Sequence, residues 1–188
     1  MTRPLRLVIL GRQGSGKGTQ CARLVAHYGT VHVSTGDMLR AAITEGTELG
    51  KKAEAVMKSG NLVSDEIING IVRERLAKPD ITAGGVLLDG FPRTPPQAEA
   101  LEAMVGEGGL DAAINLDVPV TVVKERMLLR GRTDDTPDAI ERRLSLYEQE
   151  TAPLVAWFAE RGLLLEVNGL GSEDDVFARL VAAIDARR

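Results

Sequence analysis

Short apolar runs alternate along the chain with longer segments whose apolar residues recur at helical spacing. The runs are Leu5–Leu10, Val31–Ser34, Val86–Asp89, Ala112–Asp117 and Leu163–Val167. They are mostly apolar and do not alternate cleanly with polar residues, as strands buried on both faces read. Helices are expected near Lys17–Tyr28, Asp37–Glu45, Glu48–Ser59, Ser64–Ala77, Pro95–Val105, Pro119–Arg130, Pro137–Arg161 and Glu173–Ala186. This alternation predicts an α/β fold with a central five-stranded parallel sheet between two helical layers.

Several boundaries have a stated cause. Pro95, Pro119 and Pro137 each suit the first turn of a helix, where a missing N–H costs nothing. Ser64 is placed to cap the helix that follows, with Asp65 and Glu66 near its positive end. Gly29 is placed to end the first helix. Between the second and third strands the helical segments from Asp37 to Ala77 exceed what one crossover needs, so part of them is expected to form a lobe.

Length and charge narrow the class. The chain has 188 residues, enough for one domain with small inserted lobes. Apolar residues make up 44% and charged residues 27%, which excludes a disordered or collagen-like chain. The net charge of −4 gives no general attraction to nucleic acid or to an anionic membrane. Any anion site must therefore be a local basic cluster. Cys21 is the only cysteine, so no internal disulfide and no four-cysteine zinc site can form. No run approaches the roughly 20 apolar residues of a membrane span. Neither a signal peptide nor a membrane partner is expected, and a reducing cytoplasm fits.

The first strand runs straight into Gly11-Arg12-Gln13-Gly14-Ser15-Gly16-Lys17-Gly18-Thr19, and a helix follows. Glycines let the backbone N–H groups curl inward around a phosphate, and the helix N-terminus adds its positive end. Lys17 supplies a full charge for the outer phosphates. The match to G-x-x-x-x-G-K-[ST] is not strict, because Gly18 precedes Thr19. The bland alternative, a glycine-rich turn with no ligand, leaves Lys17 unexplained.

Further on, Asp89-Gly90-Phe91-Pro92-Arg93-Thr94 follows the third strand. Asp89 stands at the carboxyl end of a parallel strand, the ligand edge of such sheets, and is a candidate to face Mg²⁺ through water. Arg93 has the planar fork that clamps a phosphate. Arg126 and Arg130 share one face of a helix, and Arg132, Arg142 and Arg143 follow. Read alone, such arginines are more often a solvated face. His27 and His32 read as ordinary structural residues.

Gly16-Lys17-Gly18-Thr19-Gln20 resembles the phosphate loop of the nucleoside monophosphate kinases, adenylate kinases above all. Gln13 stands where that family usually has Pro. Ser34-Thr35-Gly36-Asp37-Met38-Leu39-Arg40 resembles its AMP signature. So do Gly60-Asn61-Leu62-Val63-Ser64-Asp65 and Asp89-Gly90-Phe91-Pro92-Arg93-Thr94. The stretch Arg130-Gly131-Arg132-Thr133-Asp134-Asp135 resembles a short lid, and Asn168-Gly169-Leu170-Gly171-Ser172 the loop against the ATP adenine. The resemblance covers essentially the whole chain, with the motifs in the family's order.

That resemblance implies a P-loop NTPase-type domain over residues 1–188, with an NMP-binding lobe at 34–63 and a short lid at 130–136. ATP would be held by Gly14, Ser15, Gly16, Lys17, Gly18, Thr19, Arg130 and the Gly171 backbone. AMP would be held by Thr35, Arg40, Asn61, Leu62, Val63, Gly90, Phe91, Pro92, Arg93, Gln97, Arg132 and Arg143. Lys17, Arg93, Arg126, Arg130, Arg132, Arg143 and Asp89 would carry catalysis. Mg²⁺ with ATP would lie near Asp89 and Thr19, and no zinc site is expected. Gln97 has two competing roles: capping its own helix in a box with Thr94, or reading the adenine of AMP. The pyrimidine kinases of this family have Ala in place of Thr35 and Asn in place of Thr94, so AMP is the expected acceptor. The partners are then ATP, AMP and ADP, and a monomer is expected. The alternatives are a kinase for UMP, CMP or GMP and a silent nucleotide-binding regulator on the same fold.

Overall fold

The structure is a computed structural model, and it describes residues 4–133 and 135–188. Its sheet has strands β1 (Arg6–Leu10), β2 (Val31–Ser34), β3 (Val86–Asp89), β4 (Ala112–Asp117) and β5 (Leu164–Asn168). They run in the order β2-β3-β1-β4-β5, and every pairing is parallel. The helices are α1 (Lys17–Tyr28), α2 (Thr35–Thr44), α3 (Glu48–Lys58), α4 (Asp65–Leu76), α5 (Pro79–Gly84), α6 (Pro95–Val105), α7 (Val120–Arg130), α8 (Pro137–Leu146), α9 (Pro153–Glu160) and α10 (Glu173–Asp185).

The unbroken apolar runs are explained by two core layers. In β1, Val8 and Leu10 pack with Leu88, Leu101, Leu154 and Phe158 on one face. Leu7 and Ile9 pack with Leu24, Ile114, Val176 and Leu180 on the other. A period-2 strand buried on both sides has no polar position to show. A smaller cluster of Val123, Met127, Ile140 and Leu144 joins α7 to α8.

Local differences from the sequence reading have physical causes. The expected helix Pro137–Arg161 is broken by a π-helical turn at Tyr147–Thr151. Pro153 has no N–H to continue the ladder, and the Ala152 N–H instead reaches back to Tyr147 O at 2.7 Å. The short α5 was not expected. It starts at Pro79, and its six residues are too few to give a periodic signal. Pro95 and Pro137 are first helical residues, whereas Pro119 lies one position earlier, before α7. Ser64 precedes α4 but makes no side-chain cap. Ser34 does cap α2, accepting the Asp37 N–H at 3.2 Å.

Candidate functional site

The loop after β1 is shaped by glycine. Gly14 has φ +86, and a Cβ there would lie 2.8 Å from the Val123 carbonyl. Only glycine allows the loop to pack against α7 in that conformation. Lys17 opens α1 and turns back over the loop, donating to Gly11 O at 2.6 Å and Arg12 O at 3.0 Å. Burial pulls its ammonium pKa down from the ordinary lysine value, with the Asp89 carboxylate opposing. Arg126 reaches the same loop from α7, donating to Ser15 O at 3.2 Å.

A cleft of about 410 Å³ opens here, at the carboxyl ends of β1 and β3. It is lined by Gly14, Gly16, Lys17, Gly18, Thr19, Arg40, Leu62, Asp89, Gly90, Pro92, Arg93, Arg126, Arg130, Arg132 and Arg143. These come from six separate stretches of sequence, so the scattered cations read above converge on one place. Burial alone would raise the Asp89 pKa. His32, Lys17 and Arg93 outweigh it and hold the carboxyl below its ordinary value. Burial likewise pulls the Arg93 guanidinium down, with Asp89 opposing.

A second, smaller pocket adjoins the first. Thr35, Arg40, Asn61, Leu62, Val63, Gly90, Arg93, Gln97 and Arg143 line it. Gly90 has φ +83, and a Cβ there would meet Thr35 Oγ1 at 2.8 Å, so β2 and β3 approach closely only because this residue is glycine. The Phe91–Pro92 bond is cis. Gln97 is buried, and its Oε1 accepts the Arg93 N–H at 2.8 Å while its Nε2 donates to Asp65 Oδ1 at 2.7 Å. The side chain thus braces the turn before α6, one residue earlier than a capping box would, and still borders the pocket.

Asp135 draws the lid arginines together. Its buried carboxylate accepts two hydrogen bonds from Arg130, each 2.9 Å, and one from Arg143 at 3.0 Å. Arg143 also donates to Met57 O at 3.1 Å, and Arg142 to Asn61 Oδ1 at 3.3 Å. A Cβ on Gly60 would lie 2.7 Å from Ala139 O, so the turn after α3 sits directly on α8. Of the lid stretch 130–136, Asp134 lies outside the described residues.

The sequence profile of the adenylate kinase family matches residues 9–163. The chain belongs to the adenylate kinase family. It is 50% identical over 188 residues to an adenylate kinase of Stenotrophomonas maltophilia (strain K279a), a match that covers 97% of this chain and 100% of that one. It is 45% identical to adenylate kinases of Xylella fastidiosa (strain 9a5c) and Synechococcus sp. (strain CC9902). Each of those matches covers 96% of this chain, and 99% and 98% of theirs.

Within this adenylate kinase fold, three of the residues read from sequence border neither cavity. Ser15 is buried under the loop, Phe91 is packed in the core, and Gly171 lies in the turn between β5 and α10. Other residues do border the cleft without having been assigned to either nucleotide: Gln13, Asp37, Tyr147 and Thr151. Asp37 pairs with Arg40, a contact its position three residues earlier on one helix could have suggested. Tyr147 and Thr151 reach the cleft through the π-helical turn, which no spacing signals. Asp65 as the partner of Gln97 had no local sequence signature.

Proposed function

We propose that this chain catalyses the reversible transfer of the γ-phosphoryl group of ATP to AMP, giving two ADP. The observation that carries the reading is the pair of adjoining pockets. One holds the glycine-rich loop and Lys17, the other holds Thr35 and Gln97, and Arg40, Arg93 and Arg143 line both. Two phosphate-bearing ligands bound in these pockets would meet at those arginines.

In this reading the loop N–H groups and Lys17 hold the outer phosphates of ATP, with Arg126 and Arg130 alongside. Arg40 and Arg93 hold the AMP phosphate. Arg132 and Arg143 neutralise charge on the phosphoryl group in transit. An oxygen of the AMP phosphate is already anionic near neutral pH and needs no general base. The residues act by alignment and by preorganised positive charge in a site shielded from water. Lys17 and Arg143 donate to backbone carbonyls in the structure, and phosphate oxygens would replace those acceptors.

The residues present fit Mg²⁺. Asp89 is a hard-oxygen donor held ionised, and Thr19 offers a hydroxyl in the same cleft. Mg²⁺ bound with ATP would supply further neutralisation of the phosphates, with Asp89 and Thr19 facing it through water.

The proposal includes closure of the lobe at 34–63 and the lid at 130–136 over the substrates, which keeps water from the γ-phosphate. Closure of this kind is an established behaviour of adenylate kinase lids. It extends to a monomer. The large apolar side chains left exposed among the described residues are Val120, Leu128, Leu129 and Leu170.

Incubation with Mg²⁺ and ADP alone, followed by ion-exchange chromatography, tests the reaction in its reverse sense. ADP is expected to give equal amounts of ATP and AMP. ADP left unchanged by folded protein would overturn the proposal.

A further inference from the structure

Beneath the phosphate site, three side chains from three elements converge. Cys21 of α1, His32 of β2 and Asp89 of β3 each place a ligand atom within 4.8 Å of the others. Asp89 belongs to the site already described. Cys21 and His32 have no part in phosphate binding. Cys21 is fully buried, and as the only cysteine it has no disulfide partner in the chain. His32 Nε2 is also buried, and it faces Asp89 Oδ2 at 3.5 Å, the contact that helps hold that carboxyl below its ordinary value.

We propose that Cys21, His32 and Asp89 form a binding site for a borderline-soft divalent ion, Zn²⁺ fitting best, and that filling it inhibits the enzyme. The donor set selects the ion. A thiolate, an imidazole and a carboxylate suit Zn²⁺, whereas Mg²⁺ takes oxygen donors. Three protein ligands leave a fourth tetrahedral position for water. Bonds of about 2.0–2.3 Å put tetrahedral ligands roughly 3.5 Å apart, so the three atoms need draw in by only about 1 Å.

Binding exchanges a proton for the ion. The Cys21 S–H bond breaks, the sulfur–metal bond forms, and the proton leaves to solvent. Lys17 and Arg93 both face Asp89, and their charge opposes a dication. Thiolate and carboxylate together cancel the two charges of the ion, so the filled site is neutral, one unit more positive than the empty one, instead of the two units an ion bound without proton release would add. The expectation of no zinc site drew on the single cysteine, which excludes a four-cysteine site. The mixed set emerges only when α1, β2 and β3 are brought together.

Inhibition rests on the proposed phosphoryl transfer, because Asp89 cannot serve Zn²⁺ and the Mg²⁺ of ATP at once. Binding itself does not rest on it. The experiment is a Co²⁺ titration of the whole chain without nucleotide, followed by the thiolate-to-cobalt charge-transfer absorption. Saturation at one ion per chain, reversed by Zn²⁺, is the expected result. Cys21→Ala should abolish the band. His32→Gln, at a partly exposed position, should weaken binding by more than about tenfold and keeps the test open if Cys21→Ala fails to fold. No band in the wild-type chain, or unaltered binding by His32→Gln, would overturn the site.

Turnover with Mg²⁺, ATP and AMP is then measured with added Zn²⁺. Loss of rate that tracks occupancy, recovers with a zinc-selective chelator and is absent in His32→Gln supports inhibition. A filled site with undiminished turnover overturns it. A wild-type chain that never phosphorylates AMP overturns the phosphoryl-transfer reading instead, while the absorption titration still reports the site.

Discussion

The Gln97 amide is held at both ends, its Nε2 donating to Asp65 at 2.7 Å and its Oε1 accepting from the Arg93 N–H at 2.8 Å. Its orientation is therefore set, with one further amino hydrogen left for a base in the pocket that Gln97 borders. The capping and base-reading roles are compatible, since bracing the turn uses only one end of the amide. Asp65→Ala leaves a buried donor unmet and should cost about 1–3 kcal/mol in urea unfolding. It should also raise the KM for AMP about tenfold with a smaller change in kcat, the scale of 1–2 lost hydrogen-bond energies. Asp65→Asn keeps an acceptor oxygen and should remain near wild type. An unchanged KM in Asp65→Ala would mean that Asp65 does not orient Gln97 for substrate.

Lys17 and Arg93 both line the cleft, and burial pulls both pKa values down. Lys17→Ala and Arg93→Ala should each lower turnover by about 10²–10³-fold, the scale of one preorganised donor. Steady-state rates on folded protein decide this. A loss of tenfold or less would remove that residue from the catalytic set.

Gly90→Ala tests the close approach of the two strand ends. Its φ is +83, and the new Cβ would stand 2.8 Å from Thr35 Oγ1. Strain of about 1–3 kcal/mol is expected in denaturant unfolding, with weaker AMP binding by calorimetry. Wild-type stability and AMP affinity would show that the turn relaxes freely.

Asp135 gives the lid a pH dependence. Burial alone would raise its pKa, but the hydrogen bonds and charge of Arg130 and the charge of Arg143 hold it below the ordinary value of 3.8. A carboxyl depressed by folding contributes stability that is fully present above its unfolded pKa and is lost as pH falls through the folded value. Unfolding curves should therefore show Asp135→Asn less stable than wild type at neutral pH, with the gap closing below about pH 4. A gap that stays constant to pH 2 would contradict the ion pairs.

The sheet was legible because each strand is a compact apolar run bounded by glycine or a polar turn, and all five lay within one residue of the observed ends. Strand Leu163–Val167 was displaced by one residue to Leu164–Asn168, where Asn168 carries the pairing to its end opposite Asp117. The cations were legible as individuals but not as a cluster. Arg40 and Arg143 are distant in sequence, and only the packing of α8 on the turn after α3 brings them to one cleft. The π-helical turn was hidden because Pro153 reads locally as a helix start, while its effect is to shift the hydrogen bonds of the preceding turn. Contacts such as Gln97–Asp65 and His32–Asp89 join different elements and leave no periodic trace.

The most direct test of the account is an acceptor panel followed by phosphorus NMR. Purified protein, Mg²⁺ and ATP would be incubated with AMP, UMP, CMP, GMP or no acceptor. Rapid formation of ADP with AMP alone, and little loss of ATP without an acceptor, is the predicted result. Preference for another acceptor would contradict the reading of Thr35 and Gln97, and no transfer to any acceptor would contradict the assignment of the two pockets to a phosphoryl donor and its acceptor.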